Sequence, residues 1–588
     1  MSKNKILTVG LVLLSLCTKF TVKAQDMLNY KISILHPQTH YAKISIEVKA
    51  STDDLHFTMP SWTPGSYLMR EFAKSVDRVK ASINGISIPL TKTAKGTWMV
   101  SGVRSKKVLL EYDLYAFELS VRTSFIDADQ AFLHNTSVFM LVEECKNETG
   151  QLVLDYPSAW REVSTSLDTM NGAYVFENYD ELADAPIQIG NQTIFHFEVA
   201  GVPHEVAMVG PSNADEKKLS RDMQRMCQIM TDVIGEHPCK KYVFIVHNVE
   251  SGGGGLEHKN SCTVMMPRWS YTDLKKYHSF LGLVAHEYFH LWNVKRIRPA
   301  ALGPFNYANE NHTNLLWVAE GITSYYDEMS LYLFGYYDKQ TYLGKLAGYI
   351  ERVENQPGSQ LQSLSESSWD AWIKAYRSNE NSANTGISYY TKGLVIAMLL
   401  DAEIIHATRG KKNLDDLMRY LYAEYAIKKD RGFTDQEFNE AVQKVCGKNM
   451  KSFMNEYVYD TKTPDYKETM KKISIQLNQK HQNKKTLGLR TNLENGKTIV
   501  KYINSKSCSY FGGINVKDEL ISINGIAVKD NADDVLQALD NKNTALTVMV
   551  VRSGLLKEIR MDYHPLNYQD WSFITPKETP LSKIFFRD

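Results

Sequence analysis

A-H-E-Y-F-H-L-W-N, Ala285 to Asn293, is the stretch on which the reading of this chain turns. On a helix, His286 and His290 lie about one turn apart and both rings project from one face. That spacing lets two imidazoles hold one Zn²⁺ while Glu287, between them, stays free as a base for water. A third protein ligand is still needed. Further along, L-W-V-A-E-G-I-T-S-Y-Y (Leu316 to Tyr326) places Glu320 in a second apolar-periodic segment, as the obvious third ligand. Two His and one Glu leave a coordination position open, the catalytic rather than the structural arrangement. Phe280, Val284, Tyr288 and Leu291 make the first helix mostly apolar. Two histidines and a glutamate would be costly to bury there without a common partner.

The chain has 588 residues, 43% of them hydrophobic and 23% charged. It is too long for a single core, and its composition is that of a soluble globular protein. A formal net charge of +1 gives no ground to expect nucleic acid or an anionic membrane as partner. Lys3 and Lys5 precede an apolar run from Ile6 to Leu16, and Val22-Lys23-Ala24 offers a small-x-small cleavage site. Residues 1–24 therefore read as a secretory signal, too short to span a bilayer, and the protein is expected to be exported, periplasmic or extracellular. Leu16 is bulky where lipid attachment at Cys17 would need a small residue, and no later segment is apolar enough to be transmembrane. Cys145, Cys227, Cys239, Cys262, Cys446 and Cys508 follow without C-x-x-C spacing. A Cys227–Cys239 bridge and buried unpaired thiols are both compatible with that.

Residues 25–204 have a two-residue period, as where Ile44, Ile46 and Val48 alternate with polar neighbours. Val108 to Tyr115 and Thr193 to Val199 look similar, so an antiparallel β domain is expected. Within it M-P-S-W-T-P-G-S-Y (Met59 to Tyr67) is a rigid, turn-rich aromatic loop, read as a packing element. The period then changes to helical from Leu219 to Val233, with Gly235 as the stop. A buried-type strand, Tyr242 to His247, leads into S-G-G-G-G-L-E-H (Ser251 to His258). No G-K-[ST] or G-x-G-x-x-G follows, so nucleotide binding is not indicated. Adjacent glycines instead permit close approach of another backbone, such as an extended peptide. After the His helix, which Lys295 to Pro299 is read as ending, the chain stays helical to about Tyr459. Tyr390 to Thr408 is one helix, and Thr434 with Glu437 forms a capping box for another. Strand patterning returns at 480–566, where Asn524-Gly525 signals a hairpin, and 567–588 reads as a tail. The expected fold class is multidomain α+β, with a catalytic domain at 205–470.

Given zinc, Glu287 accepts the proton as water attacks a carbonyl. The oxyanion that forms needs a second electrophile, and a tyrosine hydroxyl can serve. Tyr390 in S-Y-Y-T-K-G is preferred here to Tyr389, although a chain with 33 tyrosines does not single it out by composition.

These motifs together carry a resemblance. H-E-Y-F-H-L-W-N-V-K-R-I-R-P, L-W-V-A-E-G-I-T-S-Y-Y, G-G-L-E-H and the M-P-S-W-T-P-G-S-Y loop are similar to the glycyl aminopeptidase family of gluzincin zinc metallopeptidases, relatives of the alanyl aminopeptidases. The resemblance implies an N-terminal β domain, a thermolysin-like catalytic domain and a C-terminal PDZ-like domain. It implies one Zn²⁺ per chain on His286, His290 and Glu320, Glu287 as general base, and Tyr390, in Y-T-K-G, as oxyanion partner. G-G-L-E-H resembles the relatives' M-E-N loop, which makes Glu257 the residue that holds a substrate's free α-amine, with Gly254 and Gly255 lining the peptide. A carboxylate suits an ammonium at short range. Leu487-Gly488-Leu489 would be the PDZ carboxylate loop, able to take a peptide C-terminus as an added strand. The chain departs from the relatives at Asn306, where an aspartate is expected, and at His258, which replaces an asparagine.

The function expected is removal of N-terminal glycine or alanine from peptides by a zinc-dependent aminopeptidase. Two rivals stand beside it: an endopeptidase that selects substrates through the PDZ domain, and a PDZ-based binding protein whose peptidase site is idle.

Overall fold

The computed structural model describes residues 28–539, 545–574 and 577–588. The signal segment and Cys17 lie outside them. Alternation in the N-terminal third produces an eight-stranded sheet at whose centre Tyr41–Lys49 runs antiparallel to Lys107–Tyr115. Ala42, Ile44, Ile46 and Val48 all point into the core from the first of these strands. The sheet is not wholly antiparallel. Leu28–Ser33 pairs in parallel with Gly150–Asp155, a long-range pairing that alternation cannot reveal because both orientations share the two-residue period. Two four-stranded sheets complete this region.

Thr193–Val199 does not join these sheets. It pairs antiparallel with Val202–Val209, and that strand runs parallel to Tyr242–Val249, which is parallel to Ser261–Pro267. Gly254–Glu257 closes the far edge of this five-stranded sheet, antiparallel to Ser261–Pro267. The division expected at residue 204 thus falls inside a strand. A hairpin strand carries the same alternation whichever sheet it enters.

Helices pack behind this sheet. Glu216–Ile234 ends at Gly235, whose φ of +96° closes it in the left-handed region. Leu274–Phe289 starts at Asp273, whose side chain accepts from the Lys276 N–H, and ends at His290, five residues before the expected stop at Lys295. Tyr389–Ala407 is almost entirely buried, and the Thr434/Glu437 capping box opens Asp435–Cys446. The six cysteines among the described residues are buried and unpaired. No helix among the described residues is long and apolar enough to cross a membrane.

Near the C-terminus, a separate sheet between Leu489 and Asp562 encloses its own core of Leu487, Val500, Leu520, Ile523, Val548 and Val550. Asn524-Gly525 turns its hairpin with φ of 48° and 81°, the left-handed pair that a two-residue turn needs. The segment expected to be a tail is instead built into the main body. Leu566–Phe573 pairs with Leu477–Lys484, and the helix Pro580–Phe586 buries Phe585 and Phe586. Arg587 then pairs with Asp401 at 2.6 Å and Asp415 at 2.7 Å. The surface that receives these residues lies far away in sequence, so local pattern could not show it.

Asp401 is fully buried, so removing its cation would leave an uncompensated charge. Arg587→Ala is expected to lower stability by about 3–5 kcal/mol, measured by guanidinium unfolding. A loss below about 1 kcal/mol, the range of exposed pairs, would show that the tail does not fasten the helices.

Candidate active site

The helix Leu274–Phe289 carries His286 in its last turn and places His290 at its C-cap. Each ring is held through Nδ1: His286 by Asp327 Oδ2 at 2.7 Å, and His290 by the Asn293 carbonyl. Both Nε2 atoms are left facing inward, the state a metal-ligating imidazole requires. Asn293 also donates to the carbonyls of Val318 and Ala319 and to Thr323 Oγ1. Those bonds dock the end of the His helix onto Trp317–Gly321, the π-helical turn that bears Glu320. Single π turns of this kind recur at functional sites.

Glu320 Oε2 lies 3.4 Å from His286 Nε2 and 3.3 Å from His290 Nε2. A tetrahedral centre with bonds of about 2.0–2.2 Å holds its ligand atoms about 3.3–3.6 Å apart. The three residues therefore fit one zinc-sized ion without rearrangement, and they form a compact group of potential ligands. Charge points the same way. Glu257, Glu287 and Glu320 are all nearly fully buried, and Glu257 Oε1 and Glu287 Oε2 have no hydrogen-bond partner among the described residues. Buried carboxylates of this density call for a cation. Burial raises Glu320, but the two imidazoles, His290 foremost, outweigh it and hold its carboxyl at about 2. Burial dominates at Glu287 and, with the Glu257 and Glu320 charges against His286 and His290, pushes it up to about 7. The group between the histidines is thus the one with a raised proton affinity.

Two glycines set the spacing around these acids. A Cβ on Gly255 would stand 2.1 Å from Glu287 Oε1, so only glycine lets the edge strand lie against that carboxylate. A Cβ on Gly65, at φ +88°, would stand 2.5 Å from Glu257 Oε1. The Met59–Tyr67 loop is therefore more than packing: Trp62 is buried and anchored to the Asn306 carbonyl, while Gly65 lies directly on Glu257. Glu257 also forms a compact group with Glu287 and His290, so it faces the same centre. Gly254 has open space before it.

Tyr390 stacks over His286 with centroids 6.2 Å apart, and the Glu320 charge acts with burial to raise its phenol. The neighbouring Tyr389 has a buried hydroxyl with no hydrogen-bond partner among the described residues. A glycine contact brings this helix in: a Cβ on Gly321 would stand 2.4 Å from the Gly393 Cα. His258 turns away, to Asp184 at 3.1 Å, and the Asn306 side chain caps a local turn at Ala308 and Asn309.

Sequence reasoning missed Asp327, Asn293, Tyr67 and Tyr376. Asp327 had a signal, since it lies two helical turns beyond Glu320 on the same face. Asn293, within the quoted H-L-W-N, had none that spacing alone could read. Tyr67 and Tyr376 are set 5.9 Å apart, and the Glu320 and Glu257 charges reach both.

Residues 279–396 match the M61 glycyl aminopeptidase family model, and residues 29–191 match that of the peptidase M61 N-terminal domain. The M61 match supports a peptidase, and residues 279–396 include His286, His290, Glu320 and Tyr390. An aminopeptidase N family protein from Idiomarina loihiensis, known from its crystal structure, is 27% identical with a TM-score of 0.88. The similarity covers 95% of this chain and 100% of that one. The M1 zinc metallopeptidase from Deinococcus radiodurans is more distant, at 13% identity and a TM-score of 0.48 over 75% of this chain and 94% of that one. Native yeast LTA4 hydrolase stands at 14% and 0.46, over 75% and 68%. No curated protein matched.

Gly255→Ala is expected to lower peptidase kcat/KM by at least about 100-fold while metal content stays near that of the wild type, because the new methyl displaces Glu287 and not the ligands. Asp327→Asn should act the other way, weakening metal affinity about 10–100-fold by freeing the His286 ring. Titration with a competing chelator, alongside turnover, separates the two.

Proposed function

We propose that this protein is an exported zinc-dependent aminopeptidase that removes small N-terminal residues, glycine or alanine, from peptides. The observation that carries the reading is the third carboxylate of the centre, beside Glu287 and Glu320. Glu257 sits at the closed end of the edge strand, beside the His286/His290/Glu320 group, with an oxygen that nothing else engages.

His286, His290 and Glu320 would hold the metal, each imidazole oriented by Asp327 or Asn293. Zinc, when bound there, polarises the scissile carbonyl and makes water acidic enough to attack near neutral pH. Glu257 accepts hydrogen bonds from the substrate's α-ammonium and so fixes the first peptide bond, and no other, in front of the base. The peptide backbone lies along Gly254–Glu257, the edge strand of its sheet. Glu287 takes the proton of the attacking water and passes it to the departing amine. The Tyr390 hydroxyl donates to the oxyanion. Gly65, Tyr67 and Tyr376 crowd the space beside Glu257, which supports a preference for small side chains.

The Leu489–Asp562 sheet fits a PDZ-like domain, but its Thr486–Gly488 loop is engaged from within. Asp533 accepts from the Thr486 hydroxyl at 2.9 Å and from the Leu487 N–H at 3.3 Å, while the Gly488 N–H donates to Thr486. That favours a packed appendage over a carboxylate reader, and so disfavours the endopeptidase that selects through this domain.

Metal analysis is expected to find one zinc per chain, with turnover lost on chelation. Glycyl and alanyl reporter amides should be cleaved and their N-acetylated forms should not. Glu257→Ala should lower kcat/KM on free-amine substrates by at least about 100-fold, as expected for loss of a buried charge-assisted contact. Unchanged cleavage by Glu257→Ala, or equal cleavage of acetylated substrates, would overturn the amine anchor; absence of bound zinc would favour an idle binding protein.

A further inference from the structure

The N-terminal module brings two guanidinium groups to the same cleft, and the mechanism above uses neither. Arg122 Nη2 donates to the Gly255 carbonyl at 3.3 Å, on the edge strand itself. Arg70 Nη2 donates to Ser66 Oγ at 2.9 Å, and Ser66 follows the glycine that lies on Glu257. The Nε atoms of both are buried and without a partner among the described residues. Neither forms an ion pair with any described carboxylate. Burial foremost, and then the Arg122 charge, lowers Arg70, while the charge of the exposed Glu118 acts in opposition. Arginines kept together, partly desolvated and unpaired, form an anion site, and a guanidinium fork matches a carboxylate.

The direction of the cleft says which carboxylate. Along the glycine segment, residues 251–253 are exposed, 254 and 255 are half-buried, and Leu256, Glu257 and His258 are buried. A peptide with its amine on Glu257 therefore leaves toward Gly252, passing Gly255 on the way. Two strand residues span about 7 Å, the reach of an extended dipeptide. The Tyr376 hydroxyl donates to the Gly65 carbonyl at 3.4 Å, on the loop that lies on Glu257.

We propose that Arg122 and Arg70 form a subsite for the C-terminal carboxylate of a short peptide, so that di- and tripeptides are the favoured substrates. This rests on the aminopeptidase reading and adds a ruler to it: Glu257 holds one end of the substrate and the two arginines hold the other.

The test compares Ala-Ala and Ala-Ala-Ala as free acids and as C-terminal amides, with a hexaalanine pair and an alanyl reporter amide as controls. For the wild type, kcat/KM should favour the short acids about 10–100-fold, the range for a hydrogen bond to a charged group, and show no preference in the hexapeptides. Arg122→Gln and Arg70→Gln should each bring the acid-to-amide ratio of the short peptides to within about threefold of unity. The ratio is taken within each variant, so a partly misfolded preparation does not mimic the effect. Equal wild-type rates on acid and amide, or a preference that survives in both variants, overturns the subsite. If the alanyl reporter is cleaved while acid and amide are equal, the carboxylate subsite alone falls. If it is not cleaved, the aminopeptidase reading falls and takes the subsite with it.

Discussion

Three buried carboxylates, Glu257, Glu287 and Glu320, converge on two imidazoles, and the rest of the structure is arranged around that charge. Without a cation the arrangement would be expensive, since desolvated like charges repel strongly and unpartnered oxygens lose their hydration. The protein divides the acids by environment. Glu320 is matched to both Nε2 atoms and held ionised, whereas Glu287 is pushed toward neutral pH by burial. Two residues of one type, a few ångströms apart, thus differ in proton affinity because their surroundings differ.

Close backbone approach makes this possible. Gly255 admits Glu287, Gly65 admits Glu257, and the Gly321–Gly393 contact brings the Tyr390 helix against the Glu320 turn. A side chain at Gly255 or Gly65 would push aside the carboxylate it faces, and one at Gly321 would wedge apart two helical backbones. The glycines are therefore as much a part of the site as the acids, though they bear no chemistry. Asn293 has a similar part: three donated bonds tie the end of one helix to the turn of another, fixing the distances among the ligand atoms.

The flanking regions are not accessories to an independent catalytic body. Trp62 and Tyr67 of the N-terminal loop belong to the same hydrophobic core as the His helix, and Phe585 and Phe586 of the C-terminal segment belong to it too. The cleft is roofed from the N-terminal side by Gly65 and Arg122, and the helices behind it are fastened from the C-terminal side by Arg587.

Much of this was legible in the residues alone. The four-residue spacing of His286 and His290, the glutamate on a second apolar segment, the glycine run before Glu257 and the Asn524-Gly525 hairpin each obey a local rule of period or backbone freedom. Local rules fix what a segment is and which way its side chains face. They do not say which distant surface it meets. The sheet to which Thr193–Val199 belongs, the parallel pairing of Leu28–Ser33, the packing of the last residues and the placing of Gly65 on Glu257 were decided only by the tertiary structure. All are contacts across long sequence separations, chosen by shape and charge complementarity that no single segment encodes. The sequence by itself determined which residues could hold a metal, through their spacing on two helical segments; the fold decided what closes over them, because contacts across long sequence separations are not encoded in any one segment.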